Sequence, residues 1–194
     1  MTMLTVWRDD NPATASVQTS DRDVIAVHLR DVGVDYRHVT DLVELPAGAG
    51  QDEVIAAYRA FVDALSTEHG YTLVDVAQLH AVDDDESRAV AAGARQKFLA
   101  EHTHDEDEIR FFAQGSGVFY LHLDGRVMAM LCTEGGLISV PALTTHWFDM
   151  GTSPDFTAIR FFRTDDGWVG TFTGSDIATR FATYDELSAV AAQG

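Results

Sequence analysis

Glu101-His-Thr-His-Asp-Glu-Asp-Glu-Ile-Arg-Phe-Phe112 is the stretch on which the reading of this chain turns. His102 and His104 stand two apart. In extended chain such residues lie about 6 to 7 Å from each other and point the same way, so both imidazoles can converge on one ion. Glu108 comes four positions after His104. A straight strand would carry it about 13 Å onward, out of any shared coordination shell, so Asp105-Glu106-Asp107 is expected to hold a turn or bulge. Past that turn Glu108 and Arg110 again share a face. A third histidine, His146, sits in Thr144-Thr-His-Trp-Phe148 after the strand-and-turn pattern Leu137-Ile-Ser-Val-Pro141, where a ligand can face a barrel interior. Two His and one carboxylate suit a redox metal with open positions, and a third His still leaves two places in an octahedron. No Cys or Met belongs to the cluster, which excludes a zinc ribbon or an iron-sulfur site. The helical His-Glu-x-x-His signature is also missing, because His104 is followed by Asp-Glu-Asp-Glu. His28, His38, His69, His80 and His122 lack such company and are expected at the surface or in satisfied structural roles.

Downstream of the histidines the texture is that of an antiparallel β unit: short runs of Val, Ile, Phe and Tyr separated by Gly, Pro, Asp and Thr. Strands are expected at 109–112, 117–123, 126–131, 137–140, 157–162 and 168–172. Upstream the chain reads as mixed helix and strand. Ser20 and Asp23 have capping-box spacing ahead of Ile25, Leu29 and Val32, and Gly33 ends that helix. A strand is expected over 34–39 and a loop over 46–50. The clearest helix follows, with Val54, Tyr58, Phe61 and Leu65 on one face, Asp52 and Glu53 at its start and Gly70 at its end. Residues 71–79 alternate as a strand, and Asp83 to Glu86 look like the acidic start of a helix running towards Leu99. The expectation is one domain over 1–194, with 1–100 as a mixed N-terminal part and about 101–174 as a metal-binding β core.

The 194 residues, 46% hydrophobic and 23% charged, suit one globular domain with its own core. A formal charge of −18, without a cluster of Lys and Arg, argues against nucleic acid as a partner. No apolar run approaches bilayer-spanning length and the start carries no secretory pattern, so neither a membrane nor secretion is expected and the cytoplasm is the default compartment. Cys132 is the single cysteine, read as a small buried thiol.

The histidines, Glu108, Gly115, Gly135 and Pro141 together resemble the cupin pattern, in which a first motif supplies His, His and Glu and a second the last His. Leu143 replaces the usual glycine and no glycine occupies position 96. More narrowly, Glu101-His-Thr-His, Asp107-Glu-Ile-Arg-Phe-Phe, Leu137-Ile-Ser-Val-Pro-Ala, His146-Trp-Phe-Asp-Met-Gly and Phe156-Thr-Ala-Ile-Arg-Phe-Phe resemble the acireductone dioxygenase family, most strongly from about Arg95 to Phe172. The resemblance implies a mainly β fold with flanking helices (α+β): a cupin-type small antiparallel β-barrel, or double-stranded β-helix, with N-terminal helices. It implies oxygen-dependent cleavage of an acireductone in methionine salvage, by one Fe(II) or Ni(II) per chain with Mn or Co as substitutes and no organic cofactor. His102, His104, Glu108 and His146 would hold the metal. Arg110 would act catalytically on the substrate anion, and Phe98, Phe148, Arg160 and Trp168 would line the substrate site. The small-molecule acireductone and O2 would be the partners, and the chain is expected to work as a monomer. The residues taken alone leave open another cupin oxygenase or isomerase, and a metal-holding ligand sensor without turnover.

Overall fold

In the computed structural model, which describes residues 1–80, 84–167 and 169–193, the elements follow as β1 (Met3–Arg8), β2 (Val17–Thr19), α1 (Arg22–Arg30), β3 (Asp35–His38), α2 (Gln51–Ala57), α3 (Arg59–His69), β4 (Leu73–His80), α4 (Asp85–Leu99), β5 (His102–Thr103), β6 (Glu108–Leu123), β7 (Arg126–Thr133), β8 (Gly136–Val140), β9 (His146–Asp149), β10 (Asp155–Phe162), β11 (Thr171–Phe172), a 3-10 turn (Ile177–Arg180) and α5 (Tyr184–Ala191). Every pairing among these strands is antiparallel. One sheet runs β3-β8-β6-β10-β4 and the other β11-β5-β9-β6-β7-β1-β2, so β6 belongs to both.

The sharing of β6 is a matter of two residues. Opposite β10 the register slips between Thr157 and Ala158, and Ala113 is passed over, a bulge that reverses which side chains face inward. Before it Phe112 faces the core between the sheets while Ile109, Phe111 and Ala113 face outward; after it Phe119 and Leu121 face that core and Val118 and Tyr120 lie outside. Gly115 then turns the strand with φ +68, where a Cβ would sit 1.9 Å from the Asp155 carbonyl oxygen. The segments expected as separate strands at 109–112 and 117–123 are therefore one strand of 16 residues, because the glycine bends the ladder without ending it.

Leu4, Ile25, Phe112, Phe119, Met128, Cys132, Ile138 and Phe148 fill the space between the sheets. Cys132 is buried, and burial pushes its thiol well above its ordinary pKa, as suits an inert core residue. Val54, Tyr58, Val62 and Leu65 cover one outer face against Ile109, Phe111 and Phe161. Ile177, Leu187 and Ala191 cover the other against Tyr120 and Trp147.

Local capping differs from the sequence reading in two helices. The cap of α1 is Asp21, whose carboxylate accepts from the N–H groups of Asp23 and Val24, so the Ser20-to-Asp23 box does not form. The long helix expected over 52–69 is broken at Tyr58, which leaves helical geometry at φ −99 and ψ 18. Its ring packs on Phe111 at 5.1 Å and its hydroxyl accepts from the Val43 N–H at 3.0 Å. Tertiary contacts thus override a continuous helical pattern. Of the strand expected at 168–172 only Thr171 and Phe172 pair; Trp168 and Asp83 lie outside the described residues. Strands β1, β2 and β9 and helix α5 were not anticipated. Among the described residues no helix is long and apolar enough to cross a membrane.

Candidate metal centre and substrate cavity

His102 in β5 is the direct cross-strand partner of His146 in β9, their ring centroids 4.5 Å apart. His104 follows just beyond β5, with its ring 5.0 Å from His102 and 5.3 Å from His146. The chain bends at Asp105 and Glu106, and Glu108 then opens β6 close to the histidines. The turn required by the spacing is present, and its acidic residues are used. Asp107 accepts from the Ala142 N–H and from Arg163, and Glu106 accepts from the Arg163 N–H and the Thr164 hydroxyl. As a result one ligating atom from each of His102, His104, Glu108 and His146 lies within 4.8 Å of every other.

Each imidazole is oriented by its far nitrogen. Nδ1 of His102 donates to the Ala100 carbonyl at 2.7 Å, Nδ1 of His104 to that of Val169 at 2.9 Å, and Nδ1 of His146 to that of Thr144 at 2.7 Å. A carbonyl oxygen only accepts, so the proton of each neutral ring is on Nδ1 and the Nε2 lone pair faces the centre. This is the arrangement that fixes metal-binding histidines. Burial pushes His102 down to about 4, which keeps it neutral and available.

Glu108 is the charged member. Burial opposes its ionisation, but the Arg110 guanidinium beside it holds it well below the usual carboxylate range. Its Oε2 lies 2.6 Å from His146 Nε2 and 3.6 Å from His104 Nε2. Yet Glu108 Oε2 and His146 Nε2 are buried without a hydrogen bond, electron-rich atoms directed at one another. A divalent cation between them satisfies both, and the donor set of three imidazoles and one carboxylate oxygen fits such an ion.

The centre opens on a cavity of about 560 Å³ whose other walls include Asp75, Phe98, Arg110, Arg160, Phe162, Val169, Gly170 and Phe172. Arg110 is buried, with Nη2 2.5 Å from Glu108 Oε1. Arg160, directly across from it in the ladder, pairs with Asp75 through Nε and Nη2 at 2.7 and 2.5 Å. Phe98 lies on the cavity wall, whereas Phe148 is buried behind it in the core, its ring 5.1 Å from the Arg110 guanidinium carbon. Trp168 is outside the described residues. Gly170 lets the chain before β11 lie against the histidines: a Cβ there would meet His102 Cδ2 at 3.1 Å. Sequence reasoning missed Asp75, Phe162, Val169 and Phe172, since no periodicity links residues from β4, β10 and the segment before β11 to one cavity. Glu101, quoted in the motif but given no role, is buried and accepts from the Thr173 hydroxyl at 2.6 Å and from His122 Nδ1 at 2.6 Å. His122 is thereby a satisfied structural residue, as expected.

Two antiparallel sheets joined through one strand, flanked by helices and carrying inward-facing histidines and a glutamate, define a cupin-type protein with a site for one divalent metal. The model of the ARD/ARD′ family matches residues 51–170. The acireductone dioxygenase of Frankia alni is 56% identical over 188 residues, covering 97% of this chain and 91% of the relative. That of Saccharopolyspora erythraea is 53% identical, covering 97% and 99%. The solved structure of acireductone dioxygenase from Bacillus anthracis, with a cadmium ion in its active centre, superposes with a TM-score of 0.73 at 25% identity, covering 89% of this chain and 98% of that one. The chain belongs to the acireductone dioxygenase family and is an enzyme of that family.

Proposed function

We propose that this enzyme cleaves 1,2-dihydroxy-3-keto-5-methylthiopentene, an acireductone, with O2 in methionine salvage. With Fe(II) the products would be formate and 4-methylthio-2-oxobutanoate, and with Ni(II) formate, CO and 3-methylthiopropanoate. The observation that carries the reading is the convergence of three imidazoles and one carboxylate, of which His102, His104 and Glu108 lie on the wall of a cavity that also holds two arginines. His102, His104, Glu108 and His146 hold the ion in this reading. The bound metal supplies Lewis acidity and open positions for an enediol.

The chain's own groups account for the rest of the recognition. Arg110 and Arg160 offset Glu108 and Asp75 on the cavity wall, so that an enediolate does not meet uncompensated carboxylates there in a protein whose net charge is −18. Phe98, Phe162, Val169 and Phe172 provide apolar surface for a methylthio tail and exclude water from the reacting end. Phe148, behind Phe98, backs the Arg110 guanidinium. Trp168 keeps its proposed substrate role from the family resemblance. The backbone carbonyls of Ala100, Thr144 and Val169 hold the imidazoles in one tautomer through the cycle.

The test is product analysis on anaerobically purified, metal-assayed protein given a synthetic acireductone. Oxygen uptake with formate is expected, with CO in the nickel-loaded form and none in the iron-loaded form. Binding of the compound without oxygen uptake would mean a sensor, and indifference to it would mean another substrate.

A further inference from the structure

Arg110 carries more structural constraint than a substrate-binding cation needs. The residue is 4% exposed and its guanidinium carbon lies 5.1 to 5.8 Å from the Phe98, Phe119 and Phe148 ring centroids. Its Nη2 lies 2.5 Å from Glu108 Oε1, and its buried Nε makes no hydrogen bond. Glu108 Oε2 is the atom turned towards His146 and His104. The two oxygens of one carboxylate are thus divided between a cation in the wall and the cluster of imidazoles. Arg160 is not a substitute for this, since its fork is engaged by Asp75 on the neighbouring strand.

We infer that Arg110 is a positioning residue for the metal centre: by occupying Oε1 of Glu108 it presents the carboxylate to the ion through Oε2 alone. The inference rests on the reading of His102, His104, Glu108 and His146 as the ligands. A carboxylate free to use both oxygens takes two coordination positions. One with a committed oxygen takes one, so that three imidazoles and Oε2 fill four places and leave two for the enediol oxygens. The planar fork suits this better than an ammonium, because its aromatic box packs against its faces while the edge remains free to bond.

The experiment compares wild type, Arg110→Met and Arg110→Lys as apo-proteins, each checked for folding by circular dichroism, titrated with Co(II) and Ni(II) against a chelating competitor. Visible absorption of the Co(II) forms then reports coordination independently of turnover. Arg110→Met is expected to lose about 10- to 100-fold in metal affinity and to show altered Co(II) bands, with Arg110→Lys in between. Wild-type affinity and an unchanged Co(II) spectrum in folded Arg110→Met, with turnover lost, would overturn the inference and leave Arg110 to the substrate alone. If Arg110→Met does not fold, Arg110→Lys decides by the same two readouts. Failure of wild type to bind one ion per chain would instead remove the ligand reading on which the inference rests, a result distinct from any difference between variants.

Discussion

His104, Glu108 and His146 are each in contact at both ends of the ring or carboxylate, and a substitution is felt at both. His146 illustrates this: Nδ1 is fixed by the Thr144 carbonyl and Nε2 faces Glu108 Oε2. Replacing it removes a donor and leaves a buried carboxylate oxygen with one imidazole fewer around it. His146→Ala should therefore lose stoichiometric metal, measured by elemental analysis, together with oxygen uptake. A variant that keeps both in full would take His146 out of the ligand set. The histidine pair and Glu108 were legible because strand spacing alone directs side chains two apart to the same side. His146 is 38 or more residues beyond them; its place after the strand-and-turn pattern Leu137 to Pro141 made it a candidate and the family resemblance strengthened it, but the sequence does not encode its cross-strand pairing with His102. The Arg110 contact with Glu108 was half legible. A shared face was inferred, but the bond between the two was not.

At the scale of elements, β6 decides the architecture, since its bulge and its bend let one strand serve two sheets. The first half brings Glu108 and Arg110 to the cavity, and the second half pairs with β9 and so with His146. Gly115→Ala should be among the most damaging small substitutions in the chain. It forces a Cβ against the Asp155 carbonyl and a side chain into left-handed backbone, and a loss of at least about 2 kcal/mol is expected from backbone strain and the clash together. A urea unfolding midpoint equal to that of wild type would contradict this account of the bend. The sequence showed where the apolar segments were but divided β6 at its glycine, because Gly within a strand pattern signals an end and a bend equally well. The same limit explains Tyr58. Its helical periodicity was visible, whereas the pull of Phe111 and Val43 on it was not.

Across the whole molecule, Asp149 joins parts distant in the chain. It is 1% exposed and accepts from Arg95 of α4 at 2.7 and 3.0 Å, from the Gly151 N–H at 2.9 Å and from the Tyr184 N–H, at the start of α5, at 2.9 Å. Burial opposes its charge, yet the Arg95 guanidinium and the two backbone donors hold its pKa below the ordinary aspartate value. A depressed folded value means that the unfolded chain binds the proton more readily. The stabilisation is therefore complete above the unfolded value of about 3.9 and fades as pH falls through the folded value. Wild type should exceed Asp149→Asn by about 3 kcal/mol at neutral pH, the lower end for a buried pair because Arg95 keeps some solvent. The gap should narrow below about pH 4. Denaturant titrations of both proteins at several pH values measure it, and a gap that stays constant down to pH 2 would show that the carboxylate is not the source.

What the sequence determined by itself is the chemistry on offer: imidazoles at strand spacing, a carboxylate beyond an obligatory turn, an acidic surface and a β-rich second half. These are local consequences of side-chain period and residue type. What only the tertiary structure decided is which of those groups meet. The pairing of His102 with His146, the division of the Glu108 oxygens, the engagement of Arg160 by Asp75 and the closing of the cavity by Val169 and Phe172 all depend on register across strands. Register is fixed by a bulge, a glycine bend and the packing of distant helices, and a linear pattern contains none of those distances.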